Sequence, residues 1–529
     1  MNIVKRRKLL INAFILTLTT VTLGFINTGF RVYISNKIGA EGMGLYQIIM
    51  SIHIMTSTFA ISGIRVTTTR LIAEELGKNN RANIKKIMNR AFIYSLFFSF
   101  LTTFIIYNSS EFIAIKFVGD ERTIFPLKIL ALSLPFIGVC SCLHGYFYGM
   151  RKIVKSITSD ILEVSSSMII IVAFLGLYLP KGLDYTCILV AIAMTVANII
   201  AAIYSYLLYL FEKKSGFRRI DSASSNCSLL AISKIAFPIA CSAYIQTGLR
   251  TLEDILIPNA LRQFGSTTSA SLSIFGMIKG MVLPILCFPS IFLASFSTLI
   301  IPEISEAKAL NQTNRVNSII SRVFKFTLMI AVFASGLFII YSKEMGITIY
   351  NSSKVGDMMR ILAPLIPFMY LDRVVDGSLN ALDQQVSTLK YNLIDMGVRI
   401  ALIFFVIPKR GIEGFILVLF VGTLLNATLS INKLLKVTKL EFLIGDWILK
   451  PAISVTLSAT IVKYVFDVTN IKTLIIPQVL LVILFYFIFL ILFKAIRKND
   501  VMWFINAFRK DINPTKISDL GFYKFYNNM

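Results

Sequence analysis

Charged side chains stand inside stretches of this sequence that are otherwise long enough and apolar enough to cross a bilayer. Arg31, Arg65, Arg70 and Glu163 lie in the first half of the chain. Lys234, Arg250, Glu253, Asp254, Lys279, Asp372, Arg373, Asp376, Lys390, Asp395 and Arg399 lie in the second. A cation at the bilayer centre costs roughly 2.5–3.5 kcal/mol on insertion scales, so such residues face a bundle interior or a watery cavity. Lys279 stands about ten residues into its span, roughly 15 Å by helical rise, between Gly276 and Gly280, and is expected near the midplane. It is the leading candidate for a cation facing a substrate cavity. Arg31, near the outer end of its span, and Arg65, in the inner part of the next, either face the same cavity or extend to a headgroup. His144, in Leu-His-Gly-Tyr-Phe, is a further cavity candidate, and Arg70 reads as a topological charge at the membrane surface. Guanidinium forks and ammonium groups suit a phosphate or pyrophosphate.

The carboxylates admit two readings. Arg250 with Asp254, and Asp395 with Arg399, are spaced i,i+4 and are expected to pair on one helix face. Asp372 and Asp376 share a face, with Arg373 on a neighbouring one. The alternative is a proton or sodium site, because intramembrane carboxylates often serve coupling.

Other chemistries lack their residues. The two histidines, His53 and His144, sit on different segments, which excludes a histidine-based metal site. The six cysteines are scattered without a Cys-x-x-Cys pair and read as small apolar residues. There is no Walker P-loop and no Ser-His-Asp arrangement to argue for, so neither an enzyme nor ATP-driven transport is indicated, and no cofactor is expected.

The elements that position these groups follow from composition. The 529 residues are 56% hydrophobic and 15% charged, against about 25% charged in soluble domains. Apolar runs of about 20 residues without alternation are read as helices. About fourteen spans are expected: 9–33, 45–68, 88–107, 126–150, 160–179, 185–211, 229–257, 270–300, 318–341, 357–381, 386–407, 412–435, 443–466 and 471–495. The first is too long for a signal peptide and lacks a cleavage site. The net charge of +25 reflects cations in alternate short loops, such as Lys78, Arg81, Lys85 and Lys86, then Arg151, Lys152 and Lys155. That bias predicts cytoplasmic termini and contact with anionic lipids rather than nucleic acid.

An internal repeat organises the spans. Arg90 and Phe92 recur as Arg322 and Phe324, Pro135 and Phe136 as Pro367 and Phe368, Gly145 as Gly377, and Glu163 as Asp395, all at an offset of 232 residues. Thr28-Gly-Phe-Arg31 recurs more loosely as Thr247-Gly-Leu-Arg250, at 219. Six helices is an even number, so the copies share one orientation, with substrate expected between the halves. The division expected is an all-α polytopic membrane protein of two six-helix lobes, 1–211 and 229–435. A linker, 212–228, joins them, an extra helix pair occupies 436–495, and a basic, aromatic tail, 496–529, lies on the cytoplasmic leaflet. Prolines 238, 284, 289, 302, 364 and 367 kink the second lobe.

Several motifs together resemble one family. They are the run 31–47 (RVYISNKIGAEGMGLYQ), Thr69 to Glu75, Gly145 to Gly149, Leu252 to Pro258, Gly276 to Pro284, Ile301 to Glu306 and Tyr370 to Gly377. On these the chain, to about residue 495, resembles the multidrug/oligosaccharidyl-lipid/polysaccharide (MOP) exporter superfamily, which includes polysaccharide and lipid II flippases. The resemblance implies two lobes around a central cavity, alternating access, a polyprenyl-pyrophosphate-linked sugar as cargo, and a lipid-tail groove at the last two helices. It carries cavity roles to Arg31, Arg65 and Lys279. It implies a bacterial cell membrane, with spore cortex peptidoglycan synthesis as the setting and a membrane around the forespore as one location. Two other functions stay open: a cation-coupled small-molecule exporter using Asp372, Asp376 and Asp395, and a non-transporting scaffold that recruits cell-wall enzymes.

Overall fold

A computed structural model of the chain describes residues 3–78, 81–216, 229–438, 443–468 and 475–496. The side chains of 3–17, 81–82, 213–216 and 294–300 are left out of that description. Among the described residues every regular element is helical. The first half runs α1 (Ile3–Ile61), α2 (Ile64–Gly77), α3 (Arg81–Phe112), α4 (Ile124–Ala131), α5 (Leu134–Gly149), α6 (Ile153–Tyr178) and α7 (Leu183–Gly216). The second runs α8 (Leu229–Gln263), α9 (Thr268–Phe275), α10 (Leu283–Cys287), α11 (Ser290–Ala309), α12 (Thr313–Ile340), α13 (Ser342–Tyr350), α14 (Ser353–Leu362), α15 (Ile366–Ala381) and α16 (Gln385–Thr438). The helices α17 (Lys450–Val468) and α18 (Ile475–Leu492) follow. Most of the linker and nearly all of the C-terminal tail lie outside the described residues.

Ten helices are long and apolar enough to cross a membrane, or eleven if the bent pair Glu121–Ala131 and Leu134–Gly149 is one span. The expected fourteen is not reached on this measure, and the difference has a physical source. The stretch Leu18–Gly77 has 60 residues, which would be about 90 Å as one rod against a hydrocarbon core of about 30 Å. It breaks at Gly39, whose φ of 71° is open to glycine and costly for other residues. Helix α16 breaks in the same way at Gly411, φ 56°. Each of these elements therefore holds two of the expected spans. The expected span 357–381 is divided between α14 and α15, neither of which has spanning length.

Large apolar side chains face outward as lipid contacts require: Phe97, Phe100 and Phe104 on α3 are exposed, as are Ile476, Leu480 and Leu484 on α18. Inside, one buried cluster runs from Ile34 on α1 through Phe275, Ile320 and Tyr370 to Val482 on α18. A second joins α2, α3, α5 and α7 to the start of α8 through Ile64, Phe147, Tyr209 and Ala236.

Element boundaries repeat at the offset read in the sequence. Helix α5 starts 232 residues before α15 and ends 232 before its end, and α6 starts 232 before α16. The left-handed residues Gly119 and Arg151 are matched by Asn351 and Asp383. Asp120 and Ser352, again 232 apart, each cap the helical turn that follows with a side-chain oxygen.

The two halves approach most closely where glycines meet backbone. A Cβ on Gly44 of α1 would collide with the Leu272 carbonyl of α9, and one on Gly276 with the Ala40 carbonyl. Backbone cannot yield as a side chain does, so overpacking here exceeds the usual range of about 1–3 kcal/mol. Gly276→Leu is expected to lower the thermal transition of detergent-purified protein by more than 5 °C, on the order of the shift that 2 kcal/mol or more produces. An unchanged transition would mean that the two halves are free to separate at this crossing.

Candidate functional site

Lys279 lies on a π-helical segment, Gly276–Val282, between α9 and α10. Its Nζ is 2.9 Å from Glu253 Oε1 and 3.2 Å from Asp254 Oδ1 of α8. Asp254 Oδ2 in turn accepts a hydrogen bond of 2.8 Å from Ser51 Oγ on α1, and Thr251 Oγ1 donates to the Ser51 carbonyl. Lys279 is therefore a neutralised cation, not an open one. This corrects the expectation of a free ammonium facing substrate, and the reason is energetic. An unpaired buried ammonium is costly, and two carboxylates one helix away satisfy it.

The same contact undoes a second expectation. Asp254 pairs with Lys279 and not with Arg250, although Arg250 is one turn away on its own helix. Arg250 points to the exposed side of α8 and makes no ion pair among the described residues. Asp395 and Arg399 do pair: the guanidinium Nε lies 2.9 Å from both carboxylate oxygens. Arg399 packs flat on Gly422, where any Cβ would collide with it.

Asp372 and Asp376 have no cation partner within ion-pair distance. Asn426 Nδ2 donates to both oxygens of Asp372 at 3.0 Å and to Asn392 Oδ1 at 3.1 Å. Asp376 Oδ1 is buried without a hydrogen-bond partner. Arg373 turns away and donates to Ser290 Oγ at 3.0 Å. No group of three or more His, Cys, Asp or Glu residues converges as a metal site among the described residues.

In the first half, Arg31 makes no ion pair among the described residues and is close enough to Tyr46 and Tyr350 to act on both electrostatically. Arg65 sits 5.2 Å over the ring of Tyr148 and is likewise unpaired. Arg70 pairs with Glu74 at the exposed end of α2. His144 is 4% exposed. Its Nδ1 is 3.6 Å from Asp160 Oδ1 and its Nε2 is 3.3 Å from Cys140 Sγ. It belongs to a buried polar cluster inside the first half, not to an open cavity wall, which corrects the cavity role expected for it. Small neighbours leave the imidazole this interior position: Ser159 and Ser205 line the other side of Cys140.

That cluster is the repeat-mate of the acidic one. Cys140, His144, Asp160 and Glu163 stand 232 residues before Asp372, Asp376, Asn392 and Asp395. Each half thus carries a polar core at the same place in its helix order. Beside the second core a cavity of ≈ 440 Å³ opens between α8, α15 and α16, lined in part by Gln246, Arg250, Asp376, Asn380, Gln385 and Asn392. The amides escaped the sequence reading because an uncharged side chain in an apolar run carries no charge to mark it. Their i,i+4 spacing, Gln246 to Arg250 and Asp376 to Asn380, is the signal that was available.

Residues 9–263 match the model of a family described as polysaccharide biosynthesis protein. The chain is similar to stage V sporulation protein B of Bacillus subtilis (strain 168), 23% identical over 496 residues, which covers 92% of this chain and 94% of that protein. Among solved structures, the lipid II flippase MurJ in an inward closed conformation superposes with a TM-score of 0.63 at 17% identity, over 90% of this chain and 98% of MurJ. An inward-facing multidrug resistance MATE family transporter of the MOP superfamily superposes with a TM-score of 0.61 at 10% identity, over 80% of this chain and 99% of its own. The chain has the MOP fold. Within this MOP fold the intramembrane cations fall into two groups. Lys279 and Arg399 are held by carboxylates, whereas Arg31, Arg65 and Arg250 make no ion pair among the described residues.

Proposed function

We propose that the protein is a flippase that moves a polyprenyl-pyrophosphate-linked saccharide, lipid II or a related cell-wall precursor, across a bacterial cell membrane. Residues 1–211 and 229–435 act as two lobes that alternate in access, and the pair 436–495 takes the lipid tail. The termini are cytoplasmic, anionic lipids hold the basic surface, cell-wall synthesis enzymes consume the cargo, and the setting is spore cortex synthesis. The observation that carries this reading is the set of cations without ion-pair partners, Arg31 and Arg65 in the first lobe and Arg250 in the second. A cation kept unpaired in a bilayer costs stability, so its retention argues for an anionic ligand. The relatives named polysaccharide biosynthesis protein and lipid II flippase support the same cargo class.

Flipping of fluorescent lipid II in sealed proteoliposomes tests the reading. Wild type is expected to flip, and the double variant Arg31→Ala/Arg65→Ala to lose about a hundredfold or more, since each charge-assisted hydrogen bond contributes roughly 1.5–3 kcal/mol. Full flipping by the double variant would discard the cationic pathway.

A second reading rests on Asp372 and Asp376, which lack cation partners. As a proton or sodium site they drive transport, of this cargo or of a small molecule. Asp376→Asn is expected to abolish the dependence of transport on an imposed ion gradient and to leave downhill movement intact. Gradient-driven transport that persists in this variant would remove the carboxylate from coupling.

A further inference from the structure

The cavity between α8, α15 and α16 is not one that the charged residues alone explain. Its volume, ≈ 440 Å³, falls in the range of about 300–1,000 Å³ usual for small-molecule sites. Three helices contribute polar groups to it, and several of those groups are unused. Asp376 Oδ1 is buried and accepts nothing. Arg250 makes no ion pair, and the side chains of Asn380 and Gln385 make no hydrogen bond among the described residues. Gln246 spends one donor on a long bond, 3.4 Å, to Ser242 Oγ. Unpaired polar groups in lipid-spanning helices cost free energy, and their collection on one wall marks a ligand site.

Chemistry narrows the ligand. A phosphate is disfavoured, because Asp376 lines the cavity and Asp372 stands one turn away. An inorganic cation is disfavoured, because Arg250 faces the same space and no three metal-binding side chains converge among the described residues. A hydrophobic cation would call for aromatic walls, and the apolar lining is only Val386 and Leu389. What remains is a neutral molecule dense in hydroxyl and amide groups, with a small apolar face. A planar carboxylate, guanidinium or amide bridges two adjacent hydroxyls with two hydrogen bonds, and Val386 and Leu389 offer a surface for the ring's C–H face.

We infer that this cavity is the saccharide subsite of the protein, separate from the unpaired arginines of the first lobe that receive the pyrophosphate. The inference rests on the flippase reading for the lipid-linked form of the sugar, but the subsite recognises the sugar itself. Specificity for the cargo then resides in the second lobe and charge recognition in the first.

The test uses the full chain in nanodiscs and two probes, lipid II and undecaprenyl pyrophosphate, which share the pyrophosphate and differ in the sugar. Gln246→Ala/Asn380→Ala is expected to weaken lipid II binding by about tenfold, the loss of one to two hydrogen bonds, and to leave undecaprenyl pyrophosphate binding unchanged. Gln385→Ala, at an exposed helix start, guards against a folding defect and is expected to give a smaller loss with the same selectivity. Equal loss for both probes, or no loss for lipid II, overturns the inference. A wild type that binds lipid II selectively but flips nothing would leave the subsite standing and remove the flippase reading. A wild type that flips lipid II while both variants bind it normally would do the reverse.

Discussion

Lys279→Ala is expected to destabilise the protein by about 3–5 kcal/mol, the loss typical when one partner of a buried ion pair is removed and the other is left uncompensated. The variant would leave Glu253 and Asp254 adjacent on α8, with side chains only 8% and 13% exposed. Asp395 adds a third negative charge whose field reaches Glu253. The measurement is thermal unfolding in detergent, beside lipid II binding by whatever fraction remains folded. Lys279→Met/Glu253→Gln removes the ammonium and one charge together and is expected to recover much of the loss. The contrast matters because low flipping by Lys279→Ala fits either a lost substrate contact or a collapsed site. If Lys279 instead held the substrate pyrophosphate, Lys279→Ala would unfold at the wild-type temperature and bind undecaprenyl pyrophosphate weakly. That pair of results would overturn the structural role assigned to it.

Lys279 also shows where the sequence stops being legible. Depth along a helix is a one-dimensional quantity, and ten residues of rise placed the side chain near the midplane. What the ammonium meets there depends on which helix packs opposite, and α8 brings two carboxylates to it. The pair Asp395 and Arg399 was readable because both ends lie on one helix face; Arg250 and Asp254 have the same spacing, and a cross-helix partner took Asp254 instead. The repeat was readable because it is a property of order: an offset of 232 found in Pro135 and Gly145 reappears in the ends of α5 and α15. The breaks at Gly39 and Gly411 were less so, since neither glycine differs in sequence from Gly29 or Gly397, which keep negative φ. His144 looked like a cavity group because it is polar. Its burial beside Cys140 and Asp160 is set by α6, which no local pattern reveals.

Arg262→Ala is expected to loosen the joint between the two halves at one end and to shift the protein toward a state open there. Arg262 of α8 directs its guanidinium at the carbonyls of Val118 and Gly119, and Asn259 Nδ2 donates to the Phe117 carbonyl at 2.7 Å. These carbonyls end the π-helical turn Ile113–Val118, where a helix terminus leaves acceptors without internal partners. A clasp of this kind holds backbone, so the opposite surface cannot rearrange side chains to escape it. Nearby, Glu41 of α1 accepts from Ser269 Oγ of the second half while paired at 2.9 Å with Arg122, and Arg122 is gripped by Asp120. The first half is thus braced internally and tied across by Arg262 and Ser269. Two charge-assisted bonds at a partly exposed site contribute roughly 1–3 kcal/mol after screening, which is about a ten- to hundredfold change in the ratio of closed to open forms. Spin labels at Lys116 and Gln263, both exposed, report it: wild type is expected to give one short distance, and Arg262→Ala a second, longer population. Asn259→Ala removes a neutral bond and is expected to act in the same direction with a smaller shift. Unchanged distances in Arg262→Ala would mean that the glycine crossing at Gly44 and Gly276 alone holds this end shut. Adding Gly276→Ala to Arg262→Ala decides between the two: a clasp predicts opening in Arg262→Ala already, whereas a glycine-held seam predicts opening only when the crossing itself is forced apart.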